Sequence, residues 1–156
     1  MKEQISLAET SGESCHAEPP SKSWRVLQQP CPSCPWRMDQ SAEDIPGFSL
    51  EMARDLAATC PNERGHGPNF GAAIFACHQS KVGGEMPCAG WLATVGHSHP
   101  NVRLAVIQGR VDPEALTPGA NWPALHGNYG EVLQKLEGSD DEAARAESAH
   151  EHGEVE

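Results

Sequence analysis

The sequence predicts a small α+β domain, with short strands and about three helices, held together by a metal ion. Three observations lead there. Only 38% of the 156 residues are apolar and 5% aromatic, against fifteen glycines and thirteen prolines. So few large side chains make a thin core, and thin cores commonly rely on a metal or disulfide staple. Four cysteines fall into two pairs, Cys31 with Cys34 and Cys77 with Cys88. Short apolar runs bounded by Gly and Pro alternate with segments of helical period.

In chain order, residues 1–23 are rich in Ser, Glu and Pro and read as a disordered arm. "SWRVLQQP" (23–30) is a short strand or extended lead-in that ends on Pro30. "PWRMDQ" is a short helix with Pro35 at its first position, where a missing N–H costs nothing. "GFSLEMARDLAATCP" is the clearest helix, capped by Ser49 and stopped by Pro61, with Leu50, Ala53, Leu56 and Ala57 on one face.

"NERGHGPNFG" is a loop. Its G-x-G has no strand before it, and Gly71 falls one position late for a dinucleotide fingerprint. "AAIFAC" (72–77) is a short buried strand ending on Cys77, and "QSKVGGEMP" is a turn centred on Gly-Gly. "CAGWLATVGHSHP" starts a helix at Cys88 that stops near Gly96. "VRLAVIQG" is apolar but ambiguous between strand and helix. "DPEAL" is one helical turn capped by Asp112. "NYGEVLQKLEG" is a last helix, with Val132, Leu133 and Leu136 on a face and Gly138 as its stop. The domain thus spans 24–137, and 138–156 is a disordered acidic tail.

Charge supports this division and excludes some functions. The chain carries −11, of which residues 137–156 hold eight acids against Arg145 alone. No basic stripe exists, so nucleic-acid binding by phosphate neutralisation is not expected. The first residues lack a secretory h-region and no apolar run has the length of a membrane span, which points to the cytoplasm. There, grouped thiols bind metal or do chemistry more often than they form disulfides.

The pair-loop-pair arrangement of Cys31, Cys34, Cys77 and Cys88 suits a tetrahedral zinc site. Pro35 fixes φ negative, so the left-handed turn of a zinc knuckle is closed to it. A thiolate at a helix N-cap, Cys34 followed by Pro35, is the geometry predicted instead. Proline after a cysteine is also common at iron–sulfur ligands, so a cluster is the alternative. C-P-S-C also matches a thioredoxin-like dithiol, but the Pro46-Gly47 break leaves no room for the long helix that follows such a motif.

Other residues carry weaker signals. His78 could replace a cysteine as ligand, although a polar contact is the simpler role. Cys60 reads as a half-buried bystander, and Cys15 with His16 falls in the arm. His97 and His99 have ligand-like spacing but read as a solvated loop; His150 and His152 would meet metal only adventitiously. Trp36 and Trp91 supply an apolar shell over the metal. Arg37 either donates to a thiolate or pairs with Asp39 or Glu43 at the surface.

"CPSCPWR", "ACHQS" and "CAGWL" resemble the motifs of an uncharacterised cysteine-rich domain family of bacterial and phage proteins. The resemblance runs from about Cys31 through "RLAVIQGR" to "WPALHGNYGEVLQKL". It implies that Cys31, Cys34, Cys77 and Cys88 are the family's motif cysteines, and it brings no function. From the residues themselves the expectation is a non-catalytic zinc-binding module acting through an intracellular protein partner. The alternatives are an iron–sulfur protein or a thiol–disulfide oxidoreductase with Cys31 as nucleophile.

Overall fold

A computed structural model describes residues 22–41 and 44–151. Residues 1–21, with Cys15 and His16, and His152 in the tail lie outside the described residues. Four helices carry most of the order: α1 (Leu50–Leu56), α2 (Ala89–Val95), α3 (Pro100–Ile107) and α4 (Tyr129–Glu151).

Each helix starts where its local chemistry dictates. Ser49 Oγ accepts from the Met52 N–H at 3.2 Å and opens α1. A tight turn at Ala57–Thr59 then closes it ahead of Pro61. Cys88 is the N-cap of α2, where the sequence put the start. Nearly every residue of α2 is buried, Ala89 to Ala93 and Val95, as expected for the central element of a small core.

The ambiguous "VRLAVIQG" is the helix α3. Pro100 is fixed at its first turn, and Gly109, at φ 68°, ends it. The Arg110 N–H reaches Ala105 O at 2.8 Å and the Gly109 N–H reaches Val106 O at 3.0 Å, the paired bonds of a Schellman ending. Asp112 Oδ1 accepts from the Glu114 N–H at 2.9 Å and caps the short turn Pro113–Leu116. Asn128 Oδ1 caps α4 by accepting from the Glu131 N–H at 3.1 Å. Tyr129 Oη then donates to Ala53 O at 2.7 Å, tying α4 to α1.

Three sequence expectations are corrected. First, α4 does not stop at Gly138 but continues to Glu151. A helical glycine costs only about 1 kcal/mol, and the residues after it tolerate a helix. Second, "PWRMDQ" is not a helix. Its backbone groups are committed elsewhere: the Met38 N–H donates to Ala124 O and Trp36 O accepts from the His126 N–H, both at 2.9 Å. Third, the fold is not α+β.

Extended pairing among the described residues amounts to isolated antiparallel bridges, Arg37 with Leu125, Ala76 with Pro87 and Lys81 with Gly84. "AAIFAC" does run extended, with Phe75 and Cys77 inward and Ala76 outward. Its ladder ends at this one bridge, because Cys88 already opens α2 on one side and the Ser80 N–H turns back onto Cys77 O at 2.8 Å on the other. Among the described residues the fold is a small single domain of four helices with almost no strands. "SWRVLQQP" is an extended lead-in, held by Trp24 N–H to Arg110 O at 2.9 Å. Among the described residues no helix is long and apolar enough to cross a membrane.

His99 is the largest surprise in the packing. It is 1% exposed, not part of a solvated loop. Its Nδ1 accepts from the Asn101 N–H at 3.2 Å, capping α3. Its Nε2–H donates to Ala73 O at 3.1 Å, and the ring stands edge-on to Trp91 at 5.5 Å. Both nitrogens are used, so the ring is a neutral structural group, and burial pushes its pKa below the usual histidine value. Stability from a base with a depressed folded pKa is present above about pH 6.5 and is lost as pH falls through the folded value. His99→Ala is expected to cost about 2 kcal/mol or more in urea unfolding. It should also flatten the acid limb of the stability–pH curve; an unchanged acid limb would show that His99 does not set it.

Candidate metal centre

The C-P-S-C segment is built from two consecutive proline-led turns. The Cys34 N–H closes on Cys31 O at 3.0 Å with Pro32 between, and the Arg37 N–H closes on Cys34 O at 3.1 Å with Pro35 between. Proline favours the second position of such turns because its φ is preset. Cys34 therefore sits between turns and not at the helix N-cap that the sequence suggested. The second pair arrives on two short arms. Segment 75–77 lies against 86–88, with the Cys77 N–H on Met86 O and the Cys88 N–H on Phe75 O, both at 2.8 Å. The Gly-Gly turn that joins them uses a positive φ of 77° at Gly83.

Cys31, Cys34, Cys77 and Cys88 are all buried, and all are free thiols. Cys34 Sγ lies 3.5 Å from Cys88 Sγ, far beyond the roughly 2.05 Å of a disulfide. Cys31 Sγ lies within 4.8 Å of Cys77 Sγ, and Cys34 and Cys77 are the two groups that act most on its pKa. The contacts thus run Cys77–Cys31–Cys34–Cys88. The ligand atoms of Cys31, Cys77 and His78 lie within 4.8 Å of one another and could hold a metal ion. His78 is therefore nearer the thiols than its simpler role required: both its ring nitrogens are under 4 Å from Cys31 Sγ, at 3.8 and 3.9 Å.

The thiols hold their protons tightly. Contact with Cys34, together with burial, outweighs the contact from Cys77 and pushes Cys31 up to about 11. For Cys34 the contact from Cys31 acts downward, but Cys88 and burial prevail, and it is pushed up to about 12. Cys77 is raised by its contact with Cys31 and by burial. Cys60 does not join this chain of contacts. It is buried beside Thr59 and Trp91, and burial pushes it up to about 11.

The surroundings are largely apolar, with Arg37 and Lys135 close by. Trp36 is fully buried, with Tyr129 at 5.5 Å and Phe75 at 6.1 Å between ring centroids. Trp91 is also fully buried but faces Thr59, donating from Nε1 to Thr59 O at 3.3 Å. Arg37 grips Asp39 with two bonds of 2.7 and 2.8 Å, the surface pair the sequence allowed, and also reaches Cys31 O at 3.5 Å.

Sequence reasoning missed Lys135 altogether. Its Nζ donates to Pro35 O at 2.9 Å and Arg37 O at 3.0 Å, from roughly a hundred residues downstream, and so clamps the turn after Cys34 onto α4. It also missed Gly90, whose missing side chain lets α2 approach. A Cβ there would lie 2.9 Å from Cys34 Sγ and 2.8 Å from Trp36 Cβ. No local pattern announces either residue. His97 is exposed and His99 is the structural cap above, so that pair forms no ligand set. Away from the thiols, Thr94, Trp122, Leu125 and His126 line an open cleft of about 390 Å³.

No curated protein and no solved structure matches the chain significantly. A family model does match, over residues 26–148, and this span reaches beyond the predicted end of the domain at 137. The chain belongs to DUF6283, a family of unknown function.

Proposed function

We propose that the domain is a structural zinc module in which Cys31, Cys34, Cys77 and Cys88 are the ligands, acting through an intracellular protein partner and not by catalysis. The carrying observation is the contact chain of free thiols in a dry core, with Cys34 and Cys88 sulfurs 3.5 Å apart. Zinc–sulfur bonds of about 2.3 Å in a tetrahedron set neighbouring sulfurs about 3.8 Å apart. Among the described residues the ligand atoms that already lie within 4.8 Å of one another are those of Cys31, Cys77 and His78, so Cys34 and Cys88 must close on this group for the tetrahedron to form. Four thiolates on a divalent ion leave a net charge of −2; Lys135 beside the cysteine loop offsets part of it, while Arg37 is already paired with Asp39.

A filled sphere leaves no position for an activated water, which argues for a structural role. Exposed Phe70, Val82 and Ile107 offer apolar contacts to a partner. The thiol oxidoreductase reading loses support, because such enzymes depress the nucleophile's pKa and Cys31 is pushed up to about 11.

Elemental analysis and an ultraviolet–visible spectrum of protein purified without oxygen test the assignment. About one equivalent of zinc without a visible band is the expected result. Iron with sulfide and a broad visible absorption would replace zinc by a cluster on the same cysteines.

The pH dependence gives a second check with opposite signs for the two forms. Zinc must displace protons from the thiols, so its affinity rises with pH. In the metal-free protein, thiols whose folded pKa exceeds the unfolded value of about 9 stabilise the fold below that pH. This contribution is lost as pH rises through about 11 and 12, the values of Cys31 and Cys34. Thermal unfolding with zinc should therefore shift upward between about pH 6 and pH 8, and with chelator should shift downward above about pH 9. The same pH trend with and without chelator would count against thiolate ligation.

A further inference from the structure

We propose that His78 is a standby ligand of this centre, which takes the coordination position of Cys31 when that thiol leaves the metal. The inference rests on the four-cysteine reading above and adds a means of regulation to it. The site offers five donors for four positions. His78 follows Cys77 directly in the chain, so the arm that delivers one ligand also delivers the ring. Its imidazole nitrogens lie 3.8 and 3.9 Å from Cys31 Sγ. Its ligand atom shares with Cys31 and Cys77 a space less than 4.8 Å across.

The ring is also oriented for the task. Its Nε2 meets Ser33 Oγ at 2.7 Å, and Ser33 lies inside the C-P-S-C turn. Gln79 Nε2 also lies 3.2 Å from this nitrogen, so the Gln79 amide has to turn away; with the proton then on Nε2 and donated to Ser33 Oγ, Nδ1 keeps its lone pair for a metal. A hydrogen bond on the far nitrogen is the usual way a metal-binding histidine is held. Cys31 is the cysteine to be exchanged, because at 7% exposure it is the most accessible of the four, against 0% for Cys34 and 3% for Cys77 and Cys88.

Zinc imposes no geometric preference of its own and accepts three sulfurs and one nitrogen as readily as four sulfurs. In the exchange one metal–sulfur bond breaks, one metal–nitrogen bond forms, and the released thiolate takes a proton from water. Cys31 then becomes free to react with an electrophile while the metal stays in place. The centre is thus chemically addressable at one corner.

Cobalt(II) in place of zinc tests this on the full chain, since its visible bands report the number of thiolate ligands. Wild-type protein loaded with cobalt is treated with iodoacetamide, which forms a carbon–sulfur bond and releases iodide. Peptide mapping should find the label on Cys31, with cobalt retained and the bands moved to those of three sulfurs and one nitrogen. His78→Ala should load equally well before alkylation and lose its cobalt on alkylation.

Independently, Cys31→Ala should hold close to a full equivalent, and the double variant with His78→Ala should not. The standby role is overturned if wild-type protein loses cobalt on alkylation as fast as His78→Ala does, or if the label falls on another cysteine. Equal retention by Cys31→Ala and the double variant would overturn it too. If unmodified wild-type protein takes up neither cobalt nor zinc, the four-cysteine reading itself falls and the inference with it.

Discussion

Cys34→Ser is expected to abolish metal retention and unfold the domain. Cys34 is fully buried, its sulfur touches Cys31 and lies 3.5 Å from Cys88, and no spare donor stands beside it as His78 stands beside Cys31. A structural zinc site supplies on the order of 10–16 kcal/mol of apparent binding free energy. A domain of this size has only about 5–15 kcal/mol of net stability, so losing the ion exceeds what a thin core can absorb. Elemental analysis and circular dichroism on heating check both halves of this expectation. Cys60→Ser is the control: it removes a buried thiol outside the contact chain, so zinc should remain and only about 1–2 kcal/mol should be lost. If Cys34→Ser keeps a full equivalent of zinc and its melting temperature, the four-cysteine centre is wrong.

Gly90→Ala is the second large effect. Alanine normally favours a helix over glycine by about 1 kcal/mol, so the substitution looks favourable from sequence. At this position the new methyl would stand 2.8 Å from Trp36 Cβ and 2.9 Å from Cys34 Sγ. Neither neighbour can yield freely, since Trp36 is enclosed by Phe75 and Tyr129 and Cys34 is fixed between two proline-led turns. Overpacking of this kind costs roughly 1–3 kcal/mol, and here it also drives α2 away from the cysteine loop.

Reduced stability in urea together with weaker zinc retention is therefore expected. Gly138→Ala offers the opposite case within the same chain. Nothing lies within 4 Å of a Cβ there, and the helix runs straight through it, so a gain of about 1 kcal/mol is expected. Two glycine-to-alanine changes of equal sign would refute the packing argument.

Helix boundaries set by neighbouring residues were legible in the sequence. Ser49 and Asp112 each open an element because their side chains cap the next turn, whereas Cys88 opens α2 without a side-chain cap. The turns that carry the cysteines were legible too, since spacing and turn residues place Cys31 near Cys34 and let 75–77 fold back on 86–88. Residues 35–40 were misread because local propensity was outvoted: the N–H of Met38 and the carbonyl of Trp36 find partners at 124 and 126. Gly138 was misread for the reverse reason, a weak local stop with nothing to enforce it.

Composition and local pattern by themselves thus determined a thin-cored domain, its family resemblance, and the two turns on which the paired cysteines sit. Tertiary structure alone decided how those pairs meet. It gave Lys135 its hold on the cysteine loop, made His99 a buried cap, left Gly90 as the close approach of α2, and brought His78 to the rim of the thiols. Each of these depends on contacts between residues far apart in sequence, His78 included, which meets Cys31 and Ser33 from more than forty residues away. Interactions within a few residues can be read from a chain because geometry fixes who meets whom. Those across the core depend on how all the elements pack at once, and only the folded molecule supplies that.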